Sequence, residues 1–441
     1  MIEIKNGTLF FDGCDTTELA ATYGTPLYVY SESVMQEHFD EIRRDFLDRW
    51  PGSRAAYAAK AFCTVGMCKL VERAGLCIDV VSGGELYTAL AAGFPPERIE
   101  FNGNNKLPRE LELAVEHGVG RIIVDAPHEL ETIEALCAAQ GRRMKVLYRV
   151  TPGVKADSHD YIVTGKKDSK FGFPLDEEII YPAVARALEA PHIDFLGFHF
   201  HVGSQLFDVE PYVQATEAVL ELVRQVKQRF GAPVRELNLG GGFGIRYTTE
   251  QRRPYRDYLD PMLERIAACY DELGMPRPAV VIEPGRSIVG DAGLTLYTVG
   301  SIKDIPGVRK YVSVDGGMTD NIRPALYQAV YRGMLANRAG EEAEETVTVC
   351  GKCCESGDIL LRDVELPRAR TGDVLAVFST GAYGYSMASN YNCNPIPAVV
   401  LARAGQHRLM VRRQSYEDLI RNQIPEGEET PETGEYHANA D

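Results

Sequence analysis

Residue types that commonly do chemistry recur at the ends of short apolar segments in the first two thirds of the chain. They are Lys60, Asp79, Ser82, Asn102, Asp125, Arg149, His199, His201, Gly240 to Gly242 and Glu283. Each alone has an ordinary explanation, such as a surface lysine or a tight turn at glycine. Their recurrence after successive segments indicates that several strand ends bring them to one rim.

Lys60 lies in the apolar sequence YAAKAF. A lysine that is partly desolvated in such a setting has a lowered pKa, which favours the neutral amine that forms a Schiff base with a carbonyl compound. The alternative is a lysine exposed on the surface. The segment therefore predicts a covalent link between Lys60 and a carbonyl-bearing ligand.

Glu283 ends the segment AVVIE, where burial of a carboxylate is costly and normally requires a partner. A protonated pyridine nitrogen is a fitting partner, and such a contact makes the ring a better electron sink. The alternative is an ion pair with Arg286, three residues further along the chain. Either interpretation places an ionised carboxylate inside the protein.

The glycines of LGGGFG (239–244) follow a predicted strand. Their bare backbone N–H groups can bind an anion such as a phosphate, although glycines here also suit a tight turn from strand to helix. The Lys-Ser/Thr pair of a nucleoside-triphosphate loop is missing, so no such nucleotide is implied.

His199 and His201 form an H-x-H pair, which can ligate a catalytic metal at the end of a barrel strand. The remaining histidines do not complete such a ligand set. Cys350 and Cys353 form a C-x-x-C pair, but no second pair of matching spacing follows. We therefore expect no metal.

The elements that must position these residues are eight segments typical of β-strands, separated by amphipathic helical segments. The predicted strands are 54–59, 77–81, 98–102, 121–124, 145–150, 193–200, 235–239 and 279–283. Eight strand–helix units over this length predict a (β/α)8 TIM barrel, whose active sites lie at the carboxyl ends of the strands. A doubly wound open sheet is the alternative.

The C-terminal third changes to closely spaced strand patterns with few long helical segments. It predicts a second, mostly antiparallel β-domain, onto which the strand-like first thirty residues are expected to pack. We predict a barrel over residues 32–285, a β-domain formed by residues 1–31 and 286–424, and a disordered acidic tail over 425–441.

The composition restricts the function. Lys and Arg total 47 against 63 Asp and Glu, a net charge of −16 that disfavours nucleic-acid binding. The first residues do not form a signal peptide, and no apolar run reaches the length of a membrane span. Ten cysteines without a secretion signal predict reduced thiols in the cytoplasm.

Ten segments together carry a family resemblance that covers the chain except its acidic tail. They are YAAKAF, DVVSGGELYTAL (79–90), FNGNNK (101–106), KFGF (170–173), GFHFHVGSQ (197–205), LNLGGGFG (237–244), EPGRSIVG (283–290), RPALY (323–327), CCESGD (353–358) and GAYGYSMASNYN (381–392). They resemble the diaminopimelate decarboxylase family of fold-type III pyridoxal-phosphate decarboxylases. The resemblance implies an alanine racemase-like architecture with pyridoxal 5′-phosphate as cofactor.

The resemblance also implies roles toward the cofactor. Lys60 would bind its aldehyde, Glu283 would contact the pyridine nitrogen, and His201 would stack on the ring. The other residues implied to bind the cofactor are Asp79, Ser204, Gly241, Gly242, Pro284, Gly285, Arg286 and Tyr383.

Substrate contacts are implied in the same way. Arg286, Arg323 and Tyr327 would lie around the distal end of the substrate, where a second carboxylate suits the planar donors of arginine. Tyr383 would reach the cofactor or the substrate. Because Arg323 and Tyr327 are four residues apart, they would share one face of a helical turn.

The family supplies part of each active site from the partner subunit of a homodimer. The resemblance assigns this role to Cys354, which would assist protonation of the product, and to Glu355, which would bind a substrate amine. Lys352 departs from the family pattern, which commonly has proline there and thus a more rigid loop.

The implied reaction is decarboxylation of meso-2,6-diaminopimelate to L-lysine and CO2, the last step of lysine biosynthesis. The alternatives are a decarboxylase of another amino acid or polyamine precursor, of the ornithine or arginine type, and a metal-dependent hydrolase. A catalytically inactive relative that acts as a binding regulator is also possible, but it should have lost Lys60 or Cys354, and both are present.

Overall fold

A computed structural model of the protein describes residues 2–154 and 169–424. The acidic tail predicted to be disordered, 425–441, lies outside these residues. The first elements are a small antiparallel sheet, a helix and a fourth strand: β1 (Ile2–Lys5), β2 (Thr8–Phe11), β3 (Cys14–Asp15), α1 (Thr16–Tyr23) and β4 (Leu27–Ser31).

Eight parallel strands in the described part of the chain close into a barrel, so the predicted TIM barrel is confirmed and the open sheet is wrong. The ring is complete because its last strand pairs with its first through Val281 and Arg54. These strands are buried on both faces, as parallel strands in a barrel usually are. They are β5 (Arg54–Ala58), β6 (Cys77–Val80), β7 (Ile99–Phe101), β8 (Arg121–Val124), β9 (Met144–Thr151), β11 (Ile193–His199), β12 (Glu236–Asn238) and β13 (Ala279–Ile282), with β10 (Phe173–Pro174) added beside β9.

Helices surround the barrel and bury one apolar face each against it. Their ends follow local sequence signals: Ser82 caps the helix Gly83–Ala91 by accepting a hydrogen bond from the Glu85 N–H, and Gly118 ends the helix Pro108–His117 in the left-handed conformation. The helices are α2 (Glu32–Ile42), α3 (Val65–Arg73), α4 (Gly83–Ala91), α5 (Pro108–His117), α6 (Pro127–Gln140), α7 (Glu177–Glu189), α8 (Glu210–Phe230), α9 (Tyr255–Glu272) and the single turn α10 (Arg286–Val289).

The C-terminal part forms the predicted, mostly antiparallel sheet. Among the described strands, only two pairs of this sheet are parallel, namely Leu27–Ser31 with Ala398–Arg403 and Arg309–Val314 with Glu345–Cys350. Its elements are β14 (Gly293–Ile305), β15 (Arg309–Val314), α11 (Arg323–Tyr327), β16 (Gly333–Leu335), β17 (Glu345–Cys350), β18 (Ile359–Leu366), β19 (Val374–Phe378), β20 (Ala398–Arg403), β21 (Gln406–Val411) and α12 (Tyr416–Ile420).

The N-terminal strands pack onto this sheet. β4 lies inside it, between β14 and β20. Leu9 and Phe11 of β2 join a buried apolar cluster with Leu294 and Leu296 of β14. The chain therefore crosses from the β-domain into the barrel after β4 and returns to the β-domain after α10.

Across residues 2–154 and 169–424, none of the helices combines the length and the apolarity needed to span a membrane. The ten cysteines, all within these residues, are free thiols.

Candidate active site

A cavity of about 480 Å³ opens at the carboxyl ends of the barrel strands, where a TIM barrel binds its substrates. It is lined by Lys60, Val81, Gly103, Asn104, Arg149, Lys170, Phe171, His201, Ser204, Arg286, Arg323, Tyr327, Tyr383 and Met387. A smaller adjoining cavity of about 50 Å³ reaches Gly242, Glu283, Gly285 and Ser287. The structure thus brings most of the predicted site residues together.

Lys60 stands in a 3₁₀ turn, Ala59–Ala61, directly after β5. The residues on both sides of it are buried, but the Lys60 side chain is exposed to the cavity, so the expected desolvation of its amine is wrong in this structure. The turn points the lysine out of the barrel core, and the Tyr383 N–H braces it with a 2.8 Å hydrogen bond to the Ala61 carbonyl. The amine is therefore accessible to a ligand in the cavity.

The Glu283 carboxylate lies at the end of β13 and is held from several sides. Asn238 Nδ2 donates to Glu283 Oε1 at 2.8 Å, Asn102 Nδ2 donates to the same oxygen at 3.0 Å, and His199 Nε2 lies 3.1 Å from it. Burial raises the pKa of Glu283, but His199 and the nearby Lys60 outweigh burial and lower this pKa to about 2. Glu283 is therefore ionised at neutral pH.

The alternative ion pair between Glu283 and Arg286 does not form. Arg286 points away from Glu283 and donates to Ser204 Oγ and Tyr247 Oη. Glu283 thus has amide and imidazole neighbours inside the protein. Because it also lines the smaller cavity, its carboxylate can accept a further hydrogen bond from a ligand there.

Asp79 lies behind Glu283 and shares the same amide, since Asn102 Nδ2 also donates to Asp79 Oδ1 at 2.6 Å. Burial and the charge of Glu283 raise the pKa of Asp79 well above its ordinary value. Of these two carboxyl groups, Asp79 therefore holds the proton and Glu283 holds the negative charge.

His201 lines both cavities and follows β11. Its Nδ1 accepts a 3.2 Å hydrogen bond from the Gly241 N–H, which leaves the imidazole proton on Nε2. Burial and the positive charges of Lys60 and Arg149 lower the pKa of His201 well below its ordinary value. His201 is therefore a neutral ring, suited to packing against an aromatic ligand.

The glycine segment after β12 allows unusually close approach of two backbone segments. A Cβ on Gly241 would lie 2.0 Å from the Glu283 carbonyl oxygen. Gly242 has φ +107° and a Cβ there would lie 2.3 Å from the Gly203 carbonyl oxygen. Only glycine fits at these positions, which leaves open backbone beside Ser204 for an anion.

Two arginines line the larger cavity, and one of them, Arg286, also lines the smaller one. Arg286 and Arg323 are only 6% and 7% exposed, and no ion pair within the described residues involves either one. Both donate to the hydroxyl of Tyr247, at 2.6 Å and 2.9 Å. Two buried, uncompensated guanidinium groups at a cavity wall form a receptor for negative charge.

Arg323 and Tyr327 share the face of α11 that lines the cavity, as their spacing predicts. The Tyr383 ring lies near both guanidinium groups, 4.8 Å from Arg286 and 5.9 Å from Arg323.

Cys354 and Glu355 are predicted site residues that line neither cavity of this chain. Both are exposed, and the Cys354 N–H donates to Asn392 Oδ1 at 2.8 Å. In the segments that the structure describes, no group of three or more His, Cys, Asp and Glu is arranged to hold a metal.

Sequence reasoning missed Asn238 and Tyr247. Asn238 ends β12 and carried the same signal as the other rim residues, a polar side chain after an apolar strand. Tyr247 lies between β12 and α9 in a segment without regular structure, and no pattern in the sequence points to it.

The residues present fit pyridoxal phosphate. Lys60 provides an accessible amine, His201 a neutral imidazole beside the glycine segment, and Glu283 an ionised carboxylate that lines the smaller cavity. The glycine segment provides open backbone for a phosphate, which a single added Cβ would block. The fold and this site define a pyridoxal-dependent decarboxylase. In agreement, residues 35–290 match the family model described as "pyridoxal-dependent decarboxylase, pyridoxal binding domain".

Similar proteins narrow the class. The chain is 50% identical over 422 residues to diaminopimelate decarboxylase of Bacillus subtilis, which covers 96% of each chain. It superimposes on the crystal structure of diaminopimelate decarboxylase from M. jannaschii in complex with L-lysine with a TM-score of 0.90, at 38% identity over 96% of this chain and 98% of that one. For the enzyme of Helicobacter pylori with L-lysine, the TM-score is 0.84, at 32% identity over 92% and 98%. The chain belongs to the diaminopimelate decarboxylase family.

Proposed function

We propose that the chain decarboxylates meso-2,6-diaminopimelate to L-lysine and CO2, the last step of lysine biosynthesis. The choice of this substrate rests on Arg286 and Arg323, which are buried without an acidic partner in the described structure. Both line the same cavity as Lys60. Diaminopimelate has a second carboxylate at the end remote from the reacting centre, and two guanidinium groups are suited to bind it.

Pyridoxal phosphate, when bound, supplies the electron sink for the electrons that the departing carboxylate releases. Lys60 is the residue that would bind its aldehyde. Glu283, with its pKa lowered to about 2, would hold a proton on the ring nitrogen. The neutral His201 would cover one ring face.

The glycine segment and its neighbours would bind the phosphate. Ser204, Gly242, Gly285 and Arg286 line the smaller cavity, and Gly241 and Pro284 are their neighbours in the sequence. Arg286 also contacts Ser204 Oγ at 2.9 Å, so one guanidinium adjoins both the phosphate end and the substrate end of the site. Asp79 would support Glu283 through Asn102.

The distal end of the substrate would lie against Arg286, Arg323, Tyr327 and Tyr383. Ornithine and arginine carry a cation at this end, which would face two buried positive charges and be repelled. This electrostatic mismatch disfavours the alternative of an ornithine or arginine decarboxylase.

The same proposal includes a homodimer in the cytoplasm. Cys354 and Glu355 are exposed and away from the cavity of their own chain, which supports the assignment of these residues to the site of the partner subunit. There Cys354 would deliver the proton to the product and Glu355 would bind the substrate amine at the distal end. Ten free thiols suit a reducing compartment.

The test is an assay of purified protein with pyridoxal phosphate and diaminopimelate, in which L-lysine and CO2 are measured in parallel. We expect equal amounts of both products, and no CO2 from ornithine or arginine under the same conditions. The matched control is Lys60→Ala, which should neither form products nor retain a borohydride-reducible link to the cofactor. Faster release of CO2 from ornithine than from diaminopimelate would overturn the assignment.

A further inference from the structure

Tyr247 links the two arginines that line the substrate cavity, although it does not line that cavity itself. Arg286 Nη1 donates to Tyr247 Oη at 2.6 Å, and Arg323 Nη1 donates to the same oxygen at 2.9 Å. The tyrosine belongs to the segment between β12 and α9, Arg286 begins α10 and Arg323 begins α11. One phenol oxygen thus joins side chains from three separate parts of the chain.

Each guanidinium group also donates a hydrogen bond to a second residue, which restricts its position further. Arg286 Nη2 donates to Ser204 Oγ at 2.9 Å, and Arg323 Nη1 donates to Tyr331 Oη at 2.7 Å. The Tyr247 and Tyr331 rings meet edge to face with their centroids 5.3 Å apart, and both are buried. Tyr247 is the only one of these partners that contacts both arginines within the described residues.

The guanidinium groups of Arg286 and Arg323 both contact one oxygen atom, so their positive charges lie close together and repel each other. Because both groups are buried, solvent and salt screen this repulsion only weakly. A shared acceptor oxygen offsets the repulsion and fixes the distance between the two groups. Without it, each side chain gains rotamers in which its N–H groups no longer point at a common ligand.

We propose that Tyr247 is a positioning residue that sets the spacing of Arg286 and Arg323, and thereby determines selectivity for ligands with a carboxylate at the distal position. This inference rests on the proposed function, because it takes the distal carboxylate of diaminopimelate as the ligand of the two arginines. Tyr247 would then influence the choice of substrate without contacting the substrate itself.

The protonation behaviour of Tyr247 is consistent with this role. Burial alone would raise the pKa of the Tyr247 phenol, but the charges of Arg286 and Arg323 outweigh burial and lower it below its ordinary value. A carboxylate bound to the arginines offsets their charge, so ligand binding should raise this pKa again.

The experiment uses two ligands that differ in the distal carboxylate. Decarboxylation removes the reacting carboxylate, so the carboxylate that remains in L-lysine is the distal one, whereas cadaverine has none. We expect Tyr247→Phe in the cofactor-loaded enzyme to weaken lysine binding about tenfold or more in calorimetry, because a hydrogen bond to a charged group is lost, while cadaverine binding stays unchanged. The KM for diaminopimelate should rise in parallel, with a much smaller change in kcat.

The matched control is Tyr270→Phe. Tyr270 is an equally buried tyrosine whose hydroxyl donates to the Val234 carbonyl oxygen at 2.9 Å, at the opposite end of the barrel. This variant should bind both ligands as the wild type does. Thermal unfolding of both variants shows whether they fold.

Unchanged lysine binding in Tyr247→Phe would overturn the inference, as would an equal loss for lysine and cadaverine, which indicates general damage to the cavity. If Tyr247→Phe does not fold, the test uses the wild type and measures its tyrosinate signal by ultraviolet resonance Raman spectroscopy at alkaline pH. Lysine should decrease this signal, whereas cadaverine should not. The absence of a decrease with lysine would overturn the inference. Wild-type protein that makes no lysine from diaminopimelate contradicts the proposed function, whereas active wild type with an unaffected variant contradicts only the role of Tyr247.

Discussion

The side chain of Asn238 connects Glu283 at the floor of the active site to Glu100 deeper in the barrel. Its Nδ2 donates to Glu283 Oε1 at 2.8 Å and lies 3.1 Å from Glu100 Oε2. Both carboxylates and the amide between them are buried. The ionisation of Glu283 therefore depends on an interior chain of polar groups as well as on the ligand it faces.

Replacement of this amide tests that dependence. Asn238→Asp exchanges a donor for a second carboxylate beside Glu283, which should raise the pKa of Glu283 and repel this carboxylate from its position. We expect kcat at neutral pH to fall about tenfold or more, because loss of a hydrogen bond to a charged group costs about 1.5–3 kcal/mol and about 1.4 kcal/mol corresponds to a factor of ten. The measurements are steady-state kinetics and the visible spectrum of the bound cofactor.

Asn337 provides the control for this substitution. Its Nδ2 donates to Asp373 Oδ1 at 2.9 Å in the β-domain, so Asn337→Asp also places a second carboxylate beside an existing one, at an exposed position outside the cavity. This variant should lose stability and keep its kcat. Equal kcat values in Asn238→Asp and the wild type would show that the amide does not influence Glu283.

The buried Glu100 predicts a pH dependence of stability. Burial raises the pKa of Glu100 to about 7, although Arg121 and Arg54 oppose the shift. The folded protein therefore holds a proton that the unfolded chain, with an ordinary pKa of 4.5, has released. The free energy of unfolding should decrease as the pH rises from about 4.5 to about 7. Urea unfolding at a series of pH values should show this slope in the wild type and a flatter one in Glu100→Gln, and identical slopes in both would contradict the prediction.

Much of the fold followed from local patterns. The eight barrel strands are short, buried on both faces and bounded by turns, so each was recognisable without its neighbours. β16 was not predicted because Gly333, Met334 and Leu335 include no β-branched or aromatic residue, and β18 was not predicted because the polar Arg362, Asp363 and Glu365 interrupt its apolar pattern. β16 is held by pairing with β19, a strand distant in sequence that no local window records, whereas β18 pairs with the preceding strand β17.

Site residues that directly follow barrel strands could be predicted from the sequence. Contacts that form where the barrel and the β-domain meet could not. Glu283 and His201 stand at strand ends, and the barrel alone brings them together. Tyr247 and Arg323 are 76 residues apart and meet because the β-domain packs on the barrel rim. The family resemblance supplied Arg323, since its segment RPALY is a motif, but the irregular segment around Tyr247 carries none.

The glycine segment gives a prediction on cofactor affinity. Gly242→Ala adds a Cβ only 2.3 Å from the Gly203 carbonyl oxygen at a φ of +107°. The backbone must shift, and we expect pyridoxal phosphate to bind about tenfold more weakly or worse, since strain at such positions costs on the order of 1–3 kcal/mol. Gly231→Ala is the control: it has a φ of +66° but open space around its Cβ, so it should cost about 1 kcal/mol of stability and leave cofactor affinity unchanged. Equal affinity in Gly242→Ala and the wild type would contradict a phosphate site at this segment.

The proposed homodimer with shared active sites predicts complementation between two inactive variants. Lys60→Ala and Cys354→Ala would each destroy every site in their own homodimer. In a mixed dimer, one site combines an intact Lys60 with an intact Cys354 of the partner, and the other site carries both defects. Random exchange should therefore restore about a quarter of wild-type activity, because half of the dimers are mixed and each has one working site.

The control for complementation is a mixture of Lys60→Ala with the double variant Lys60→Ala and Cys354→Ala, in which no site is complete. Native mass spectrometry shows whether subunits have exchanged. Recovery in the first mixture and none in the control is the expected result, since Cys354 is exposed and away from the cavity of its own chain. If exchange is complete and the first mixture stays inactive, Lys60 and Cys354 act within one subunit, and the loop that carries Cys354 must fold onto its own cavity.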